Sequence, residues 1–287
     1  MYRSRQGLVF AAGLLLAAHL PGVATPVAVA VAADTSRVTV MGATLELVAA
    51  EFAGADAHAG LAIRLEPGWK TYWRYPGDSG IAPMLDWSGS RNVGAIALAF
   101  PAPHRFADPM GTSIGYKGPV VLPLAITPKD PGAAIDLRLK VDLGLCRDIC
   151  VPAHGDLATR IEPGRRAAKS EADELAAFAA RVPRPVALAD PAAAIAVAAI
   201  EAAGGKPPEY QLTIRAPAAG GEVDVLAEGP DGWALPLPER IAAPGADLTR
   251  WRVVIDGIPR AAKIPGSPLR LTLIQGSTSV ETVVPLP

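Results

Sequence analysis

The chain has only two cysteines in 287 residues, so a disulfide framework of the kind that staples small secreted domains is excluded. Aromatic residues make up just 5%, and there are four histidines and four methionines. Met41, Met84 and Met110 are too scattered for a methionine copper site. Formal net charge is −1, with no basic patch or charge run, which argues against nucleic acid as a partner. There is no Gly-x-Ser-x-Gly elbow, no phosphate-cradling glycine loop and no His-Glu-x-x-His helix. The familiar hydrolase, nucleotide and zinc-protease signatures are therefore missing, and no cofactor is expected. Beyond residue 33 no apolar run reaches the ~20 residues of a membrane span.

Half of the residues are hydrophobic, enough for one large or two medium domains with cores. Twenty-nine prolines and 28 glycines point to many turns and short strands rather than a helix bundle. The first 33 residues read as a cleaved secretory signal. Arg3 and Arg5 form the positive start, Leu8–Leu20 the apolar stretch, and Ala-x-Ala-like sites end at Ala30 or Ala33. An uncleaved anchor is the alternative, but His19 and Pro21 shorten the apolar run. The rest carries 25 basic against 28 acidic residues, net −3. A periplasmic, exported location follows, where two cysteines can persist as a disulfide.

Residues 34–163 have a β pattern. Ile135, Leu137, Leu139, Val141, Leu143 and Leu145 alternate with Asp136, Arg138, Lys140, Asp142 and Gly144. That period of two predicts a half-buried strand running straight into Cys146. Asp156–Ile161 reads as the returning strand, so the cysteines sit at the end of a hairpin. In 166–182, Leu175, Phe178, Ala179 and Val182 fall at helical spacing, Ser170 could cap, and Pro183 ends the run. Short β runs resume at Tyr210–Ile214, Val223–Ala227, Trp251–Ile255, Leu269–Ile274 and Val280–Val284. The expectation is an all-β chain of two β-sandwich domains, 34–165 and 185–287, joined by a helical linker at 166–184 after the signal at 1–33.

Cys146 and Cys150 lie in Leu145-Cys146-Arg147-Asp148-Ile149-Cys150-Val151-Pro152. Closing so short a loop adds only about 2 kcal/mol in the chain-entropy model, against about 4.7 for a long loop. Extended residues four apart lie about 13 Å from one another, whereas a disulfide needs roughly 4.4–6.8 Å between Cα atoms, so the segment must curl tightly. Exposed, strained disulfides are the exchangeable ones. Redox exchange, an inert structural bridge and metal binding all remain open. Arg147 would favour a thiolate and Asp148 oppose it. His154 completes a Cys-x3-Cys-x3-His run that could hold Cu(I) or zinc through Cys146, Cys150 and His154.

Three segments together carry a resemblance: Pro67-Gly68-Trp69-Lys70-Thr71-Tyr72-Trp73-Arg74-Tyr75-Pro76-Gly77-Asp78-Ser79-Gly80, Tyr116-Lys117-Gly118-Pro119-Val120-Val121-Leu122-Pro123, and Cys146–Pro152. In that order, across about 38–163, they resemble the periplasmic N-terminal domain of the DsbD family of disulfide reductases, nearest its ScsB-like branch associated with copper tolerance. Residues from Pro185 resemble the second β domain of the ScsB-like region. The resemblance implies immunoglobulin-like folds and a redox-active pair, Cys146 and Cys150. It also implies a cap loop shielding them, placed in 103–111 with His104, Phe106 as the lid and Met110, and with Tyr116 beneath. Electrons would arrive from a membrane-embedded or thioredoxin-like donor and pass to periplasmic thiol-disulfide proteins. The sequence departs from the family in two ways. Three residues rather than five separate the cysteines, and no membrane or thioredoxin-like domain precedes Pro287, so the donor would act in trans.

Two functions are carried forward: periplasmic thiol-disulfide exchange, and a copper-binding or copper-tolerance accessory using the same cysteines without turnover. Trp69, Tyr72, Trp73 and Tyr75 could form a docking surface beside the pair, but core and turn packing is the favoured reading. Gly77-Asp78-Ser79-Gly80 reads as a turn.

Overall fold

The computed structural model describes residues 35–108 and 111–287, so the expected signal segment and Met110 lie outside the described residues. Eleven strands come first: β1 (Arg37–Val40), β2 (Ala43–Ala53), β3 (Asp56–Leu65), β4 (Lys70–Gly77), β5 (Met84–Asp86), β6 (Ala95–Leu98), β7 (His104–Asp108), β8 (Gly111–Lys117), β9 (Val120–Thr127), β10 (Ile135–Cys146) and β11 (Cys150–Ile161). One sheet has the order β1-β2-β3-β9-β6 and the facing one β11-β10-β4-β8-β7, with β5 on β10. The alternation in β10 is realised in full, because Ile135, Leu137, Leu139, Val141, Leu143 and Leu145 are all buried in the core between the sheets. Trp73, Ile114 and Tyr116 join them from β4 and β8, and Leu45, Leu61, Leu122 and Leu124 meet them from the other sheet.

Helix α1 (Lys169–Ala179) follows. Its N-cap is Ala168 rather than the expected Ser170, so no side chain caps the first turn; Glu171 reaches back to accept the Ala168 N–H at 3.0 Å, the other half of a capping box. The helix lies on the outer face of the first sheet, where Leu175 is buried against Val48, Ala62 and Val121.

Eight strands complete the chain: β12 (Arg184–Pro185), β13 (Ala196–Gly204), β14 (Glu209–Arg215), β15 (Val223–Glu228), β16 (Glu239–Gly245), β17 (Leu248–Val254), β18 (Pro268–Gln275) and β19 (Thr278–Pro285). They form sheets of order β12-β19-β18-β15 and β13-β14-β17-β16 around a separate core that includes Val197, Leu212, Val225, Val253 and Leu271. The whole described chain is nearly all β, an immunoglobulin-like sandwich architecture. Among the described residues no helix is long and apolar enough to cross a membrane.

Charged groups tie the two cores together. Arg74 donates to Glu228 at 2.7 Å and to Glu281 at 2.5 Å. Arg105 donates to Asp224 at 2.8 Å and to the Val225 carbonyl at 3.1 Å. The Tyr75 hydroxyl donates to the Leu235 carbonyl, and burial, with help from Asp78 and Glu228, pushes its pKa up to about 12. Leu226, from β15, is buried within the first core.

Candidate functional site

β10 and β11 pair without interruption from Ile135↔Ile161 to Cys146↔Cys150. The returning strand thus begins at Cys150, six residues before the expected Asp156. The two cysteines face one another across the last pair, 4.1 Å apart at Cα, and are disulfide-bonded. A three-residue tip, Arg147-Asp148-Ile149, supplies the required curl.

The two sulfurs have different surroundings. Cys146 is 1% exposed, while Cys150 is at the surface. Tyr72 touches both: its hydroxyl lies 2.6 Å from Cys146 Sγ and 3.2 Å from Cys150 Sγ. On β4, Trp73 enters the core and Tyr72 turns to the opposite face, where Cys146 also emerges. Space for the ring comes from two glycines. A Cβ at Gly80 would stand 2.6 Å from Tyr72 Cδ1, and one at Gly144 2.9 Å from Tyr72 Cε2. Both clashes are inside van der Waals contact, so the ring occupies a slot that any side chain at either position would fill.

On the same face Lys70 is the cross-strand neighbour of Cys146, and its next neighbour is Lys117 on β8. Lys70 Nζ lies 3.3 Å from Ser113 Oγ. The two ammonium groups stand 5.9 and 4.6 Å from the Phe106 ring centroid, a cation–π arrangement. The His104 ring is 6.4 Å from that of Phe106. Arg147 places its guanidinium 5.2 Å over Trp69 and donates to Asp148 at 3.0 Å, so the two charges that compete in the sequence pair with each other. Exposed apolar side chains lie along the same hairpin, Ile149 at the tip beside the charged Arg147–Asp148 pair and Met84 opposite Asp142. Ile149 is 71% exposed and Met84 66%, and Ile81 packs where a Gly144 Cβ would be.

The fold therefore brings Cys146, Cys150, Phe106 and His104 onto one sheet, with β4 and β8 between the cysteine hairpin and β7. Within the segment read as a cap loop, 103–111, residues His104–Asp108 form β7, which pairs with β8 in a register running from His104↔Gly115 to Asp108↔Gly111. Tyr116 turns the other way: it is buried in the core, donates to the Pro101 carbonyl at 2.7 Å, and burial holds its pKa well above the ordinary phenol value. His154 lies on the cysteine hairpin opposite Asp142, with ring nitrogens 2.9 Å from Asp142 and 3.2 Å from Asp156. Hydrogen bonds to those carboxylates raise its pKa and leave neither nitrogen turned to the sulfurs. Among the described residues no group of three or more His, Cys, Asp or Glu could hold a metal ion. Tyr72 was visible in the sequence only as one of four clustered aromatics. The outward turn of an even-numbered residue in a strand whose odd-numbered residues are core was the signal that could have singled it out.

Residues 43–161 match the family model described as thiol:disulfide interchange protein DsbD, N-terminal. The N-terminal periplasmic domain of ScsB from Proteus mirabilis superposes with a TM-score of 0.65 at 21% identity, covering 88% of this chain and 98% of that one. A conserved domain protein from Bacillus anthracis aligns over 83% of this chain and 75% of its own, at 10% identity and a TM-score of 0.23 that carries no weight. No curated protein matches the chain.

Proposed function

We propose that this chain, which carries a DsbD-family N-terminal domain over residues 43–161 and is ScsB-like in fold, is a periplasmic protein-disulfide reductase that passes electrons through Cys146 and Cys150. The observation that carries the reading is a disulfide closed across a three-residue hairpin tip, with one sulfur buried and the other at the surface. A staple would join distant strands; this one joins residues already paired in a ladder and adds little stability. In the reduced protein the Cys150 thiolate attacks a partner disulfide, a mixed disulfide forms, and Cys146 resolves it. On this reading His104 and Phe106, on the strand beyond β8, belong with Met110 to the cap and partner-contacting region, and Tyr116 supports that strand pair from the core. Donors are membrane-embedded or thioredoxin-like thiol-disulfide proteins, and acceptors are periplasmic ones.

The decisive experiment equilibrates the protein in glutathione or dithiothreitol buffers and reads the dithiol–disulfide ratio. A potential between about −180 and −270 mV is expected for an exchange protein. A value below about −300 mV would make the bridge an inert staple and overturn the reading. Export is checked by N-terminal sequencing of chain released by osmotic shock, which should begin just after Ala30 or Ala33. Two immunoglobulin-like domains, 34–165 and 185–287, joined through 166–184, are supported by the two separate hydrophobic cores. First cleavage outside 166–184 in limited proteolysis would count against that division.

A further inference from the structure

We propose that Tyr72 is a positioning residue of the exchange reaction: its phenol holds Cys146 as a thiolate once the disulfide opens, and so makes the buried cysteine the resolving sulfur. The proposal rests on the exchange reading above and adds a group that the cysteine pair alone does not supply.

Three observations carry it. The hydroxyl contacts both sulfurs and is nearer the buried one, 2.6 Å against 3.2 Å. The ring packs against Gly80 and Gly144, where a Cβ would stand 2.6 Å and 2.9 Å from it. Cys146 is 1% exposed, so a thiolate formed there is cut off from water, and desolvation alone would disfavour it. A charged sulfur buried in that way needs a fixed donor, and the phenol stands at the right place.

The chemistry is as follows. In the reduced domain the exposed Cys150 thiolate attacks one sulfur of a partner disulfide. A Cys150–partner bond forms, and the partner's other sulfur leaves as a thiolate. The Cys146 thiolate then attacks Cys150 Sγ. The Cys146–Cys150 bond forms and the partner's second sulfur leaves, also as a thiolate. Two electrons pass from the dithiol to the partner, and the two thiol protons end on solvent or on the released thiolates. Tyr72 keeps its proton throughout. A hydrogen bond to an anionic sulfur is stronger than one to a neutral disulfide sulfur, so the contact present in the oxidised state strengthens on reduction. Tyr72 therefore stabilises the reduced form more than the oxidised one.

Other charges face the same site. Lys70 comes from Tyr72's own strand, Lys117 and His104 from β8 and β7, and Arg147 paired with Asp148 from the hairpin tip. Asp78, in the segment that includes Gly80, accepts the Thr112 N–H, and the Asp142–His154 pair lies farther along the hairpin. None of these is altered by removing one phenol oxygen, which makes Tyr72→Phe a clean test.

The measurement is the thiolate absorbance near 240 nm against pH, in a Cys150→Ala background so that Cys146 alone titrates, with and without Tyr72→Phe. Loss of one charge-assisted hydrogen bond should lower the thiolate fraction at neutral pH about tenfold. In the two-cysteine protein, Tyr72→Phe should make the potential about 30 mV more negative, the two-electron equivalent of tenfold. Thermal unfolding of each variant shows whether the fold is intact. Should Tyr72→Phe fail to fold, the 13Cζ resonance of Tyr72 in the Cys150→Ala protein gives the answer, since it should shift in step with the Cys146 titration. A Cys146 titration within twofold of the parent in folded Tyr72→Phe, or an unmoved 13Cζ resonance, overturns the proposal. The exchange reading fails separately, through a potential below about −300 mV in the unmutated protein.

Discussion

The chain builds two β cores from the same materials and uses them differently. Around the first, β10 and β4 bury leucine, valine and tryptophan on one face and turn Cys146, Lys70 and Tyr72 out on the other. Around the second, β14, β17 and β18 bury a comparable set, yet that half has no cysteine and no histidine. The contrast locates the chemistry. Both cores supply rigidity, but under the proposed exchange function the reactive groups occupy a few outward positions of one sheet, where glycine takes the place of a side chain and a phenol fills the gap. The second half is tied to the first through Glu228, Glu281 and Asp224, which grip Arg74 and Arg105 on β4 and β7.

The largest test of this contrast removes a sulfur. Cys150→Ser should abolish partner reduction, at least a hundredfold in rate, while lowering stability by only about 2 kcal/mol, the value of so short a loop. Exchange at the undiminished rate would erase the distinction between the halves. Next is the grip between them. Arg74 and its two carboxylates are mostly shielded, and Arg74→Ala leaves both acids without their partner, so a loss of about 3 kcal/mol in chemical denaturation is expected. A third test compares glycines. Gly144→Ala forces a Cβ to within 2.8 Å of Ile81 and 2.9 Å of Tyr72, and should cost about 1–3 kcal/mol and move the potential. Gly245→Ala, on exposed β16 with nothing within 4 Å, should change stability by no more than about 0.5 kcal/mol.

The smallest effect is that of His154. Its pKa is raised by Asp142 and Asp156, so its contribution is fully present below the unfolded value, near 6.5, and fades as pH rises through the higher folded value. Comparing His154→Ala with the parent at pH 6 and pH 9 should show a deficit only at the lower pH. NMR titration of the ring gives the same answer directly.

Much of the cysteine hairpin was legible because alternation over 135–145 is unbroken and the cysteines sit at its end. In the sequence β11 shows only from Asp156, because Val151, Pro152, Ala153 and Gly155 break any clean pattern, yet ladder pairing with β10 holds them extended. β13 and β16 went unread for a similar reason. Ala-rich Ala196–Gly204 shows no contrast between faces, and Glu239–Gly245 is exposed throughout, so neither displays a period. Tyr72 was hidden among four aromatics, three of which pack with the core as expected. Of its two glycine partners, Gly80 lies in the segment just after β4, but Gly144 is distant in sequence, and the pairing of β4 with β10 brings it to the ring.

One consequence of the uninterrupted hairpin is kinetic. Eleven register pairs, from Ile135↔Ile161 to Leu145↔Val151, precede the cysteine pair, and none depends on the sulfur–sulfur bond. When that bond opens, the ladder still holds the two thiols opposite one another. Each behaves toward the other as a reagent at very high effective molarity. Ring closure should then outrun any competing thiol in solution, and a covalent complex with a partner would be short-lived in the unmutated protein. Only a chain with its buried cysteine replaced would hold its partner long enough to be isolated.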